Sequence, residues 1–199
     1  MDKKLIKLKG DKIAYLSLQD ISGACNIFAR DENGTLIGEC IFNFAYICSR
    51  PLTEHQRSMY AKLYKIPFEK TPKSIETKIV KNEPLNITHD KKAIIKNNHI
   101  YKINTTICEL AYIDVLEKEY YKVGLGTQMF KEMEKIAFSE NCDMIEALFI
   151  PYGEFQLSSK EFYKRHGFKF IEKCGLPYAI KTYSEKDVKI FNDIKEKTN

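Results

Sequence analysis

Between residues 107 and 137 the chain changes its apolar period once, and that change constrains the fold more than any other stretch. Residues 107–116 form an extended, largely apolar run, and a turn bearing Gly124 and Gly126 follows. Met129, Phe130, Met133, Ile136 and Ala137 then recur on one helical face. A strand that passes through a glycine turn into an amphipathic helix must lay that helix on a sheet, since neither element buries its apolar side alone. Residues 144–150 read as a further, nearly continuous apolar strand, of the kind covered on both faces.

The flanks are read against this segment. Residues 4–8 and 13–18 alternate, and strands near 25–29 and 36–44 flank the turn Asp31-Glu32-Asn33-Gly34, so the first 46 residues predict a β meander. Residues 49–104 are broken by Pro51, Pro67, Pro72 and Pro84. They predict an irregular insertion holding one helix, with strands around 75–80 and 93–103. That helix opens on the capping box Thr53-Glu54-His55-Gln56, carries Met59, Leu63 and Ile66 at helical spacing, and stops at Pro67. A second capping box, Ser158-Ser159-Lys160-Glu161, predicts a short helix ending at His166-Gly167. Strands at 168–172 and 178–183 and a terminal helix through Val188, Phe191 and Ile194 complete the reading.

With 199 residues and 44% hydrophobic content the chain supports one sizeable core, and a single domain over 1–199 is expected. The net charge of +5 comes from scattered lysines. It suits an anionic ligand or plain solubility, and without a basic run interleaved with aromatics nucleic acid is not the expected partner. The start, MDKKLIKLKG, leads into no apolar signal core, and no stretch reaches membrane-spanning length without charges, so a cytoplasmic protein is expected. Cys25, Cys40, Cys48, Cys108, Cys142 and Cys174 form no C-x-x-C pair and read as reduced core thiols, with no metal site and no disulfide frame. Cys108 and His166 have no spacing that joins them as a nucleophilic pair; they read as a packed thiol and an exposed helix-end histidine.

Residues 116–130, LEKEYYKVGLGTQMF, hold the candidate site. The amides of Val123, Gly124, Leu125, Gly126 and Thr127 fall in the first helical turn, where they lack intrahelical partners and the helix dipole favours an anion such as a pyrophosphate. Two nucleotide motifs fail here on specific residues. A P-loop needs Gly-Lys-Ser/Thr, and Gly126 is followed by Thr127 and Gln128; a dinucleotide fingerprint needs a third glycine or alanine where Met129 stands.

Together with Glu161-Phe162-Tyr163-Lys164-Arg165-His166-Gly167-Phe168, this segment resembles the GNAT superfamily of N-acetyltransferases. Gly124 and Gly126 match that family's Gln/Arg-x-x-Gly-x-Gly/Ala loop, and Tyr163, Gly167 and Phe168 match its later Tyr-x-x-x-Gly-Phe pattern. Tyr121 stands where the family usually has Gln or Arg, and Gln156 where Asn is common. The resemblance covers residues 105–183 well and the N-terminal hairpin loosely. It implies an α+β fold with a central mixed, mostly antiparallel sheet flanked by helices, and acetyl-CoA as cosubstrate. The acetyl group would pass directly to an amine acceptor, a small molecule or a protein amine, in a ternary complex without a metal. The implied cofactor-binding set is Val115, Leu116, Tyr121, Lys122, Val123 to Thr127, Gln156 and Tyr163, with backbone amides near Val115 and Leu116 as oxyanion donors. Tyr163 is the implied acid toward the thiolate. Glu109 falls where some members carry a base, and burial among Ile107, Leu110 and Ala111 would raise its pKa; Asp114, Glu146 or a water are the other candidates. A silent module of the same fold, binding acyl-CoA or a protein partner, is the alternative.

Overall fold

The regular alternation of the first residues folds as expected into antiparallel strands in the computed structural model, which describes residues 3–21, 24–81, 85–88, 92–148, 156–173 and 176–183. The chain forms two compact units, Met1–Phe44 with Ile107–Asn199, and Ala45–Thr106. Strands β4 (Leu36–Pro51) and β8 (His99–Val115) each contribute one stretch to either unit.

In the first unit β1 (Lys3–Lys7), β2 (Ile13–Ile21), β3 (Ala24–Arg30) and β4 pair in sequence, antiparallel, with Lys4 opposite Leu16 and Leu16 opposite Ala29. The sheet continues β8, β9 (Met144–Leu148), β11 (Leu176–Thr182) and β10 (Lys169–Lys173). The β8–β9 pair is parallel, while β9–β11 and β10–β11 are antiparallel. A mixed, mostly antiparallel sheet with helices is therefore the observed fold class. Helix α2 (Leu125–Ser139) lays Leu125, Met129, Phe130, Met133 and Ala137 on it, none more than 1% exposed. They meet Cys40, Phe42, Cys108, Leu110, Ile145, Ala147 and Ala179 in one core. Each large apolar side chain buried this way contributes about 1.5–3 kcal/mol, which holds the start of α2 at the sheet.

Helix α3 (Gln156–Arg165) is already helical at Gln156, three residues before the start its capping box predicts, so Ser158 lies inside the helix. The strand read at 144–150 is described to Leu148. Cys174 and the helix read from residue 184 onward lie outside the described residues. Cys25, Cys40, Cys48, Cys108 and Cys142 are free thiols.

The second unit is more regular than its prolines suggest. Strand β5 (Ser74–Val80) pairs antiparallel with β4 from Ala45–Val80 to Pro51–Ser74, and β6 (Asn86–Ile87) pairs with β7 (Ala93–Lys96). A tight turn at Asn97 and Asn98, with φ of 50° and 59°, returns β7 onto the first part of β8. Two left-handed residues are what a two-residue hairpin needs, and asparagine tolerates that conformation. Helix α1 (Glu54–Tyr64) has the expected capping box: Thr53 Oγ1 accepts from the Gln56 amide at 3.2 Å, and Gln56 Oε1 accepts from the Thr53 amide at 3.1 Å. Its expected apolar face is not buried, with Met59 59% and Leu63 73% exposed. The helix is held by its caps and by Arg57, which donates to the Phe68 carbonyl and to Thr71 Oγ1.

Candidate functional site

The site begins where β8 loses its alternation. Cys108 and Leu110 point into the core, and then Ile113 and Val115 pack against it. The inward side chains thus move from even to odd positions, a change of parity of the kind a β-bulge produces. The parallel ladder to β9 extends to Leu110–Ala147, while β8 runs on to Val115. Near its end the strand presents Ile113 and Val115 to a cavity of about 800 Å³ within the first unit.

Beyond β8 a 3-10 turn at Lys118–Tyr120 leads to Lys122, at φ 61°, and to Gly124, at φ 100°, the N-cap of α2. The first bond inside α2 runs from the Gln128 amide to the Gly124 carbonyl at 3.0 Å. The amides of Leu125, Gly126 and Thr127 therefore precede the helix's own hydrogen bonds and stand at the positive end of its dipole. A Cβ on Gly126 would lie 3.6 Å from the Phe162 ring and 3.9 Å from Val115, so this glycine marks the close approach of α2, α3 and β8.

Helix α3 supplies the opposite wall through Ser159, Phe162, Tyr163 and Arg165. Tyr163 is 9% exposed, with its ring 5.1 Å from Phe168 and 5.8 Å from Phe162. Burial pushes its phenol up to about 12, so at neutral pH the hydroxyl keeps its proton. Next to it His166 is half-buried between Phe130 and Phe162, at 4.4 and 4.5 Å between ring centres, and its Nε2 lies 3.4 Å from Thr127 Oγ1. Burial, aided by the Lys181 charge, pulls its pKa down to about 4. The expected exposed histidine is a neutral packing residue instead. Cys108, the other half of the discounted pair, is fully buried, and burial raises its thiol well above the ordinary value.

Of the residues expected at the site, Val115, Tyr121, Lys122, Val123, Gly124, Leu125, Gly126, Thr127 and Tyr163 line this cavity. Leu116 does not, and its amide already donates to the Ile37 carbonyl at 2.9 Å, so it is no free oxyanion donor. Gln156 is the first residue of α3. Glu109 and Glu146 stand side by side in the β8–β9 register and neither lines the cavity. Glu109 is half-buried and Glu146 is 4% exposed, while Ala111, expected to help bury Glu109, is exposed. Asp114 is exposed.

Sequence reasoning missed Lys7, Leu8 and Lys9, which also line the cavity, and Gly38. A Cβ on Gly38 would come within 3.0 Å of the Asp114 carbonyl and of Met129, so only glycine lets β4 pass this close to β8 and α2. Among the described residues no group of three or more His, Cys, Asp or Glu could hold a metal ion, and no helix is long and apolar enough to cross a membrane.

No protein-family model matches the sequence, and no curated protein matches it either. Several solved structures are similar. An acetyltransferase of the GNAT family from Staphylococcus aureus Mu50 is 13% identical, with TM-score 0.44, over 82% of this chain and 70% of that one. The PaiA N-acetyltransferase of Thermoplasma acidophilum, solved in complex with coenzyme A, is 15% identical, with TM-score 0.41, over 81% of this chain; the match spans only 62% of that protein. A putative streptothricin acetyltransferase from Bacillus anthracis Ames, solved with acetyl coenzyme A, is 12% identical, with TM-score 0.42, over 92% of this chain and 83% of that one. Likeness at this level carries no argument about what this chain binds or does.

Proposed function

We propose that the chain is an acetyl-CoA-dependent N-acetyltransferase that passes the acetyl group directly to a primary amine. One observation carries this reading: the free first-turn amides of α2 and the buried, protonated Tyr163 line the same cavity. The amides at a helix start suit a diphosphate, and a phenol that stays protonated suits a departing thiolate. The motif resemblance at Gly124, Gly126, Tyr163, Gly167 and Phe168 supports the same assignment.

In the proposed step the neutral amine nitrogen attacks the thioester carbonyl carbon, a C–N bond forms, the C–S bond breaks, the sulfur takes the Tyr163 proton, and the proton that leaves the new amide nitrogen returns through water to the Tyr163 phenolate. The amine first gives up its own proton, since a lysine-type ammonium has a pKa of about 10.4. Glu109 is the proposed acceptor of that proton, with Asp114, Glu146 or a water as its rivals. Glu109 stands outside the cavity lining, so a water relay to it belongs to the proposal.

Calorimetry with acetyl-CoA tests the cosubstrate, and release of free thiol across a panel of amines tests the reaction. Binding together with amine-dependent thiol release is the expected result. Failure of acetyl-CoA to bind the folded protein would remove the reading altogether; binding without turnover on any amine would leave a silent module.

A further inference from the structure

The cavity has a wall that neither the glycine loop nor α3 supplies. The β1–β2 turn reaches it with Lys7 and Lys9, the loop adds Lys122, and α3 adds Arg165. These are four cationic side chains, and no Asp or Glu is among the described lining residues. A cation-only lining in a chain with 27 carboxylates favours a ligand carrying several negative charges.

The turn is also fastened to the loop. The Lys9 amide donates to the Val123 carbonyl at 3.1 Å, the Lys12 ammonium sits 3.0 Å from Glu119, and it lies 4.3 Å from the centre of the Tyr120 ring. Within the turn, the Leu8 amide donates to Lys12 and left-handed Gly10 and Asp11 close it. The Lys9 backbone is therefore held beside the residue that precedes Gly124.

These contacts order the cavity. Lys9 adjoins Val123, the free amides follow at residues 125–127, and Gly126 adjoins Phe162, the neighbour of Tyr163. An acetyl-CoA with its thioester near Tyr163 and its diphosphate at the amides has its remaining anionic group, the ribose 3′-phosphate, at the hairpin end. We infer that Lys7 and Lys9 bind that 3′-phosphate, making the β1–β2 hairpin part of the cosubstrate site. The inference rests on the proposed function and adds residues to the same cavity.

The test compares acetyl-CoA with 3′-dephospho-acetyl-CoA by calorimetry, on wild type and on the Lys7→Gln/Lys9→Gln double variant. Both side chains are exposed, and the fastening bond from Lys9 is made by its backbone, so the melting temperature should hold; it is measured alongside. Wild type should bind acetyl-CoA roughly five- to fiftyfold tighter than the dephospho compound, by an amount that shrinks with salt. The double variant should lose that preference by weakening on acetyl-CoA alone. A wild type that binds neither compound overturns the proposed function. A double variant that keeps the preference, or weakens equally on both compounds, overturns the 3′-phosphate assignment while leaving the proposed function standing.

Discussion

Tyr163 and His166 sit at the same end of α3, and burial acts on them in opposite directions, raising the phenol to about 12 and lowering the imidazole to about 4. Both are uncharged at neutral pH, so the cavity's charge comes from its lysines and arginine. Tyr163→Phe keeps the ring against Phe168 and Phe162 and deletes only the proton donor. Turnover should fall by about ten- to ten-thousandfold, with acetyl-CoA affinity and melting temperature near wild type. Full activity at an unchanged melting temperature would return Tyr163 to a packing role. His166 sets a pH signature instead. Its folded pKa lies below the ordinary value of 6.5, so between 6.5 and about 4 the unfolded chain binds more protons. The stability it contributes is complete above 6.5 and is lost as pH falls through that window. Replacing His166 with Gln should therefore flatten the acid side of the melting profile; parallel profiles for the two proteins would refute the assignment. The sequence showed Tyr163 through its spacing to Gly167 and Phe168, yet it misread His166. Its burial depends on Phe130 and Phe162, which converge only once α2 and α3 pack.

At the scale of elements, the start of α2 depends on three glycines that act in different ways. Gly124 has open space around it but a φ of 100°, where any side chain strains the backbone. Gly124→Ala should cost about 1–3 kcal/mol, read as a lower melting temperature. Gly126 has ordinary room for a Cβ, so Gly126→Ala should melt like wild type, and any loss should appear in acetyl-CoA affinity. Gly38→Ala meets the Asp114 carbonyl and Met129 at 3.0 Å, and the overpacking should cost about 1–3 kcal/mol while loosening the cavity's β8 wall. Equal melting of the Gly38 and Gly126 variants would contradict this division. Gly124 and Gly126 were legible because strand and helix periods meet there. Gly38 was not, since its need comes from α2 crossing a strand far from it in sequence. The change of parity in β8 was equally hidden, because Ala111 and Tyr112 fit either face of a strand, and only the inward turn of Ile113 and Val115 reveals it.

At the scale of the molecule, the order of the first strands was legible from alternation and a glycine turn, and the two residue clusters of the site from their motifs. The hairpin lysines were not: Lys7 and Lys9 look like any of the chain's scattered lysines until the fold brings both to the cavity wall, where the Lys9 amide bonds Val123. The partition into two compact units gives the last prediction its form, because every described residue lining the cavity belongs to the unit made of Met1–Phe44 and Ile107–Asn199. A ligand that binds only the folded protein adds about 2.7 kcal/mol of stability at a hundred times its dissociation constant. For a chain of this length that is a rise of roughly 5–10 °C in melting temperature. Acetyl-CoA should produce that rise and duplex DNA should not, since these four cations line a cavity of about 800 Å³, too small to take a duplex. Hydrogen exchange locates the effect. Protection on adding acetyl-CoA should concentrate at the β1–β2 turn and at residues 122–128, and residues 45–106 should exchange as before unless the two units unfold together. A rise with DNA, or protection centred on residues 45–106, would move the binding site out of this cavity and with it the proposed chemistry.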